Sequence, residues 1–221
     1  MCGRLVLTSN YKEKIRAIFD SLAADEWLPP RYNITPGTSV PVVLDSAPDQ
    51  LKWLAWGFPP RQPNRPPLIN ARGETVHALP TFKTLFAQHR CLVLADGFYE
   101  WRRDPGRPRP QPYFFQRKEG ALLMVAGLWQ AGPPGTCIVI TTEANRLMHP
   151  IHDRMPALLD PEGARLWLNR ETHPETLKAM LQPFPSDDMT CHPVSDRVNR
   201  ATSEGEDLIR PVTIYEQGGL F

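Results

Sequence analysis

The sequence predicts an α+β fold in which helices flank a largely antiparallel, β-barrel-like core. Strand-like segments dominate the middle of the chain, and the helical segments do not alternate regularly with them, as they would in a doubly wound sheet. No linker divides the 221 residues, so residues 1–221 are expected to form a single domain. The hydrophobic fraction of 41% is enough to build a packed core.

The first 88 residues contain strand and helix signals separated by a proline-rich break. Strands are predicted over residues 4–8, 40–44 and 51–58. Asn10 is expected to cap a helix whose apolar face is formed by Ile15, Ile18, Phe19 and Leu22. The segment PPRQPNRPP, residues 59–67, is expected to be a rigid loop because proline cannot donate to a β ladder. A short helix is predicted over residues 81–88.

The remaining elements continue the β pattern and end in helices. Strands are predicted over residues 91–101, 113–116, 122–129 and 136–141, the first two joined through the turn RDPGRPRPQP. Helices are predicted over residues 161–169 and 174–181. Each has proline in its first turn, where the missing backbone N–H has no intrahelical partner to lose.

The composition and the first residues narrow the classes of protein to consider. No run of 18 apolar residues is present, so no membrane span is predicted. The start MCGRLVLTSN lacks the basic-then-apolar pattern of a signal peptide, and a cytoplasmic protein is expected. In that compartment cysteines are expected to be thiols. Because they form no CxxC pair, neither a metal nor another cofactor is expected at Cys2, Cys91, Cys137 and Cys191.

The charge of the chain does not by itself predict a nucleic-acid partner. The net charge is +1, but 19 of the 25 basic residues are arginine, which binds phosphate bidentately and stacks on bases. A GC-rich genome would also favour arginine codons. Any DNA site must therefore be a local cluster of charge.

Cys2 is the first candidate for chemistry. Methionine aminopeptidases generally remove Met1 when the second residue is small, which would leave a free α-amine and a thiol on Cys2. These groups have ordinary pKa values of about 8 and about 8.5, so both have nucleophilic forms near neutrality. A 1,2-aminothiol converts an aldehyde into a Schiff base and then into a five-membered thiazolidine. Gly3 permits close approach to the backbone, and Arg4 adds a cation; the alternative is an ordinary, inert N-terminal thiol.

Three internal motifs support the chemical interpretation. In INARGET, residues 69–75, Asn70 offers a donor and an acceptor to an amine, and Arg72 offers a phosphate fork. In ADGFYEW, residues 95–101, Glu100 between aromatic residues is suited to proton transfer, unless strand alternation turns it to solvent. In IHDRMP, residues 151–156, His152 is a proton donor or acceptor and Arg154 a second phosphate ligand. The alternatives are a polar turn for the first motif and a structural hydrogen bond for His152.

Taken together, these motifs resemble the SOS-response-associated peptidase family, also described as abasic-site processing proteins. The motifs MCGR, RYNITPG, LINAR, GFYEW, AGLW, IHDRMP and HPVSDRVN occur in the family's order from residue 2 to about residue 212. The resemblance implies a β-barrel-like core with peripheral helices. It also implies that Cys2 forms a thiazolidine with the C1′ aldehyde of a ring-opened abasic sugar in DNA.

The remaining roles are also implied by this resemblance. Asn70 would hold the α-amine, Glu100 would move protons during ring opening and Schiff-base formation, and His152 would contact the sugar hydroxyl and support crosslink formation and reversal. Phosphates flanking the lesion would be bound by Arg4, Arg72 and Arg154. Trp56 and the loop after it would occupy the place of a wedge near the DNA. One departure is that HALP, residues 77–80, lacks a DNA-contacting arginine found in some relatives.

The expected partner is single-stranded DNA that contains abasic sites, including single-strand/double-strand junctions, and a monomer is expected. The expected activities are lyase-type Schiff-base chemistry and a thiol peptidase activity, which would mean autocatalytic loss of the first residue or release of bound peptide. Two alternatives remain from other classes. One is an N-terminal nucleophile amidohydrolase of the glutamine amidotransferase type, whose thiol attacks an amide. The other is a DNA-binding module with an inert Cys2.

Overall fold

Strands make up most of the regular structure in the computed structural model, which describes residues 2–19, 22–24, 27–60 and 62–214. The strands are β1 Leu5–Leu7, β2 Ala23–Ala24, β3 Arg31–Ile34, β4 Ser39–Leu44, β5 Ala47–Trp56, β6 Asn70–Arg72, β7 Arg90–Ala95, β8 Gly97–Arg102, β9 Gln111–Arg117, β10 Leu123–Gln130, β11 Thr136–Glu143, β12 Arg154–Pro156, β13 Leu158–Leu159 and β14 Met189–Pro193. The helices are α1 Tyr11–Ile18, α2 Gly73–Val76, α3 Lys83–Gln88, α4 Pro161–Leu168 and α5 Pro174–Ala179.

The larger sheet closes on itself through one parallel pairing. Its strands follow the order β12-β11-β10-β7-β4-β5-β2, and β11 also pairs with β5. This second pairing, with Cys137 opposite Trp56, joins β11, β10, β7, β4 and β5 into a ring. Most strand pairs are antiparallel, and helices lie outside the ring, with α4 against β7 and β10. The predicted α+β fold with a largely antiparallel, barrel-like core is thereby confirmed.

The smaller sheet carries the aromatic strand of the GFYEW motif. Its order is β14-β9-β8-β1-β3, with all the pairings antiparallel. Phe98 of β8 stacks on Phe115 of β9 and faces the main core, whereas Tyr99 faces a second apolar cluster under residues 194–208. Glu100, one residue further along the strand, therefore shares the side of Phe98.

The register of β1 on β8 places the start of the chain beside Glu100. Leu5 pairs with Phe98 and Val6 with Gly97. The Tyr99 N–H donates to the Arg4 carbonyl at 3.0 Å, so the antiparallel alignment continues towards residue 2. Residues 2–4 therefore run alongside residues 99–101 of the GFYEW motif.

The strand predicted over residues 91–101 is in fact two strands in different sheets. β7 lies in the ring and β8 in the smaller sheet, and the chain crosses between them at Asp96. The Asp96 carboxylate accepts hydrogen bonds from the Thr8 backbone N–H at 2.7 Å and from Lys14 Nζ at 2.5 Å. At Gly97 a Cβ atom would clash with the Phe114 ring and lie 2.6 Å from the Phe115 carbonyl oxygen. These long-range contacts, which periodicity does not reveal, explain the break.

The first helix is shorter than its apolar face predicted. α1 ends at Ile18, and Phe19 has φ −122° and ψ 79°, outside the helical region. Leu22 lies beyond the helix, after residues 20 and 21, which are outside the described part of the chain. Asn10 occupies the N-cap position but makes no side-chain capping bond, because its Oδ1 accepts from Thr8 Oγ1 at 2.6 Å.

The other predicted elements are present with shifted ends, and several short strands were not predicted. The strand predicted over residues 51–58 is β5, which starts at Ala47 and ends at Trp56. α4 and α5 have the predicted proline in the first turn. The described residues of 59–67 contain no strand, as expected. The unpredicted strands are β2, β3, β6, β12 and β13, whereas β14 ends in HPVSDRVN, residues 192–199, which the family resemblance implied to be a strand and turn.

No helix in the described residues has both the length and the apolar character needed to cross a membrane. All four cysteines are free thiols, as predicted.

Candidate active site

Four sequence-predicted residues converge where the amino-terminal segment meets the end of the ring. Cys2 precedes β1, Asn70 begins β6, Glu100 lies in β8 and His152 lies in the turn before β12. The Asn70 Nδ2 group donates to the Cys2 carbonyl oxygen at 3.0 Å, although the residues are 68 positions apart. Met1 lies outside the described residues.

Asn70 has one amide atom engaged and one available. β6 pairs in parallel with β11, Asn70 opposite Val139, which fixes the backbone of Asn70 in the sheet. Its side chain is buried, and its Oδ1 has no hydrogen-bond partner among the described residues. A buried acceptor without a partner is costly. The oxygen is therefore suited to accept a hydrogen bond from an added group, such as an amine at Cys2.

Glu100 is buried, with 3% of its surface exposed, so alternation along β8 does not turn it to solvent. Burial raises the pKa of its carboxyl, and the charge of His152 acts in the opposite direction. Burial also raises the pKa of the Cys2 thiol, and the negative charge of Glu100 raises it further. These mutual effects place the carboxyl within electrostatic reach of both the thiol and the imidazole. Both shifts favour the protonated, uncharged forms of the Cys2 thiol and the Glu100 carboxyl.

His152 is held by its neighbours on the chain. Its Nδ1 accepts a hydrogen bond from the Arg154 backbone N–H at 2.9 Å and lies 3.0 Å from Asp153 Oδ1. Its backbone N–H donates to the Met148 carbonyl at 3.0 Å. Among the described residues, no group of three or more His, Cys, Asp or Glu side chains is arranged to hold a metal ion.

The three predicted phosphate ligands differ in how exposed they are. Arg72 is exposed at the end of β6. Arg4 is half-buried: its Nη1 donates to Asn33 Oδ1 at 2.6 Å and to the Val198 carbonyl at 2.7 Å, and its guanidinium lies 5.7 Å from the centre of the Trp101 ring. Arg154 has a side chain only 13% exposed. Arg72 therefore offers the most accessible cation of the three.

A comparison with protein families assigns the chain. The family described as SOS response associated peptidase (SRAP) matches residues 1–201. The chain belongs to this family. Within the SRAP family it is 36% identical over 227 residues to the abasic site processing protein YoqW of Bacillus subtilis, covering 95% of this chain and 99% of that protein. It is 30% identical over 225 residues to the abasic site processing protein YedK of Escherichia coli, covering 96% and 100%.

A vertebrate relative and solved structures extend the comparison. The SRAP chain is 31% identical to the abasic site processing protein HMCES of Xenopus tropicalis, covering 86% of this chain and 68% of that protein. A phage-related protein of Bordetella bronchiseptica has a TM-score of 0.72 at 30% identity, covering 87% of this chain and 94% of that one. A protein of Bacteroides thetaiotaomicron has a TM-score of 0.80 at 20% identity, covering 96% and 100%, which shows the shared fold alone.

Trp56 of this SRAP chain is not placed as a wedge against DNA. Its ring is fully buried in the core, and its indole N–H donates to the Ile69 carbonyl at 3.1 Å. A side chain without exposed surface cannot contact DNA, so the prediction of direct contact is wrong for the conformation seen here. Its hydrogen bond to Ile69 instead holds the residue just before β6 and Asn70, which makes Trp56 a structural support of the site.

Sequence reasoning missed Glu74, which bridges two of the predicted motifs. Its carboxylate binds the guanidinium of Arg154, with Nη1–Oε1 at 2.6 Å and Nη2–Oε2 at 2.9 Å. The available signal was an acidic residue two positions after Arg72, at the start of a helix. Its partner could not be found from the sequence because the two residues are 80 positions apart.

Proposed function

We propose that this chain captures abasic sites in single-stranded DNA as a covalent thiazolidine on Cys2. The observation that carries the proposal is the hydrogen bond from Asn70 to the Cys2 carbonyl, beside the buried carboxyl of Glu100. An amine at Cys2 would lie near the Oδ1 of Asn70, which has no hydrogen-bond partner in the described part of the chain, and within reach of a proton carrier. The family relatives named abasic site processing proteins support the choice of substrate.

The chemistry requires removal of Met1. A retained methionine would lock the Cys2 nitrogen in a peptide bond, where it cannot form a Schiff base. Cys2 is fully buried in the structure, so a DNA aldehyde must also gain access to its thiol. The family's peptidase name fits an autocatalytic removal, and an aminopeptidase would give the same product.

The crosslink forms with the loss of one water molecule. The α-amine adds to the C1′ aldehyde of the opened sugar, and the resulting hemiaminal loses water to give a Schiff base. The thiol then adds to the C=N carbon, its proton leaves for a nearby base, and the ring nitrogen gains one proton. No oxidant or metal takes part in this balance.

Proton transfers fall to the two titratable groups near Cys2. Glu100, whose carboxyl pKa is raised by burial, would donate a proton as water leaves and accept one as the thiol adds. Asn70 would orient the amine through its Oδ1. His152, whose charge acts on Glu100, would contact the sugar hydroxyl and support ring opening and crosslink reversal.

DNA binding is assigned chiefly to Arg72, the exposed arginine nearest in sequence to Asn70. Its guanidinium would bind a phosphate beside the lesion, and Arg4 and Arg154 would contribute more weakly because both have internal partners. A single strand, or a junction with one single-stranded side, is the expected substrate, because a paired duplex keeps its sugar away from a buried thiol. We expect a monomer to suffice for this reaction.

The intact mass of the product tests the proposal. Wild-type protein mixed with abasic single-stranded DNA is expected to gain the mass of the DNA minus one water, on a protein that lacks one methionine. Glutamine hydrolysis by the same sample is the control, because a glutamine amidotransferase would use the same Cys2-Gly3 start. Full crosslinking by protein that retains Met1 would rule out the mechanism.

Replacement of Arg72 by alanine should weaken DNA binding more than it slows chemistry. Loss of one phosphate contact removes about one unit from the slope of log affinity against log salt. Affinity for intact single-stranded DNA is therefore expected to fall, while reaction with a small aldehyde stays close to wild type. Fluorescence anisotropy over a salt series measures the binding.

Arg165→Ala is the matched control, since Arg165 is an exposed arginine on α4 and loses the same charge at a different place. Equal losses of DNA affinity in the two variants would contradict a specific phosphate contact at Arg72.

A further inference from the structure

We propose that Glu74 is a positioning residue that orients His152 by holding Arg154. The inference rests on the proposed function for its kinetic test, but its structural test is independent of crosslinking. It assigns Arg154 a mainly internal task and leaves phosphate binding to Arg72.

Glu74 and Arg154 form a bidentate ion pair. Both carboxylate oxygens of Glu74 accept from the guanidinium, at 2.6 and 2.9 Å. The Arg154 Nη2 group also donates to the Thr141 carbonyl at 2.6 Å. Paired planar groups of this kind fix direction as well as distance. Because the Arg154 side chain is 13% exposed and has these three bonds, it is anchored on β11 and α2.

The anchored residue is also the one that holds the imidazole. The Arg154 backbone N–H donates to His152 Nδ1 at 2.9 Å. The same peptide unit carries the Asp153 carbonyl, which accepts from the Ala144 N–H at 2.9 Å. One planar peptide unit is therefore held on its carbonyl side by Ala144, the residue after β11, and donates from its N–H side to the histidine ring.

This arrangement favours one protonation pattern of the neutral imidazole. An N–H that donates to Nδ1 needs a lone pair there and so favours the ring with its proton on Nε2, whereas the Asp153 carboxylate, 3.0 Å from the same atom, favours the proton on Nδ1. The Arg154 peptide therefore shifts the balance towards the Nε2–H tautomer and one ring orientation. A loosened Arg154 would let the peptide plane rotate, and the Nδ1–H form would become accessible, with the Asp153 carboxylate 3.0 Å away as its acceptor.

Nitrogen-15 NMR of the histidine ring tests the link without any reaction. At a pH where the ring is neutral, wild-type His152 is expected to show the Nε2–H pattern. Glu74→Ala should give a mixture of tautomers, and Glu74→Gln, which keeps the shape and one acceptor, should restore most of the wild-type pattern. Glu143→Ala is the matched control, because Glu143 pairs with Arg154 in the β11–β12 ladder but is exposed, and among the described residues the guanidinium bonds to Glu74 and Thr141 instead. A wild-type tautomer in folded Glu74→Ala would overturn the proposal.

A double-mutant cycle tests the consequence for chemistry. Glu74→Ala alone is expected to change the rate of crosslink reversal by roughly tenfold, within the range for coupled neighbours. In a His152→Ala background the same substitution should have no further effect, because its route of action is gone. Additive effects would show that Glu74 acts independently of His152.

Crosslinking by the wild type and the His152 tautomer in Glu74→Ala distinguish a failure of the proposed function from a failure of the positioning proposal. If the wild type forms no crosslink, the proposed function fails while the NMR test of Glu74 still stands. If Glu74→Ala instead raises affinity for intact single-stranded DNA and leaves the tautomer unchanged, Glu74 serves to shield Arg154 from phosphate, and the positioning proposal is wrong. Should Glu74→Ala fail to fold, Glu74→Leu takes its place in both tests, because it keeps a similar side-chain volume and removes both carboxylate acceptors.

Discussion

A Cys2→Ala protein is expected to lose the durable DNA adduct completely while still forming one that borohydride can trap. The α-amine survives the substitution and can still make a Schiff base, but without a sulfur atom the thiazolidine ring cannot close. The adduct should therefore hydrolyse when no reductant is present. Denaturing gel electrophoresis with and without borohydride measures both outcomes.

Cys2→Ser is a second test variant for this experiment, and Cys191→Ala is its control. A serine hydroxyl closes a weaker five-membered ring, so Cys2→Ser should resemble the alanine variant. Cys191, a half-buried thiol on β14, is the matched control, and its loss should leave the adduct as stable as the wild type. An equally durable adduct from Cys2→Ala without reductant would show that another residue carries the chemistry.

A Glu100→Gln protein is expected to form the crosslink about 100-fold more slowly, the lower part of the usual range for a general acid–base residue. The amide keeps the shape of the side chain and removes its titrating proton. Because burial raises the pKa of Glu100, the wild-type rate should show a titration above the ordinary carboxyl value of 4.5. The pH–rate profile of Glu100→Gln should lack this titration. Single-turnover crosslinking rates measured over a range of pH test the difference.

The pH dependence of the free energy of unfolding distinguishes a catalytic role of Glu100 from a structural one. Since the folded-state pKa is raised, the folded protein holds a proton that the unfolded chain has lost. The contribution of Glu100 to stability therefore falls as pH rises from 4.5 through the folded-state pKa. Glu100→Gln removes this loss and should be at least as stable as the wild type at neutral pH. A destabilised variant at neutral pH would mean that Glu100 has a mainly structural role.

The fold class and the clustering of the site were predictable because they depend on local patterns and on ordered motifs. Apolar alternation indicated the central strands, and proline in the first turn located α4 and α5. The motifs singled out Cys2, Asn70, Glu100 and His152, which the structure brings to one region. Their catalytic roles remain proposals.

What the sequence did not reveal depends on contacts between distant segments. The crossing from β7 to β8 follows from the bonds of Asp96 to the first strand and helix and from the Phe114 ring over Gly97, which periodicity cannot report. Trp56 was assigned to the DNA by the family resemblance alone, and its burial depends on packing between distant segments that the motif does not reveal. Glu74 was overlooked because its partner lies on another strand.

The alignment of β1 on β8 has a consequence for the newly synthesised protein. Cys2 leaves the ribosome well before Asn70, Glu100 and His152, and strand pairing between segments so far apart in sequence is a slow part of folding. Until β8 has docked, an exposed aminothiol would be an unselective trap for any metabolic aldehyde. The proposed proton carriers Glu100 and His152 would reach it only when both sheets are assembled. Under the proposed function, folding would therefore supply both the speed and the selectivity that the exposed aminothiol lacks.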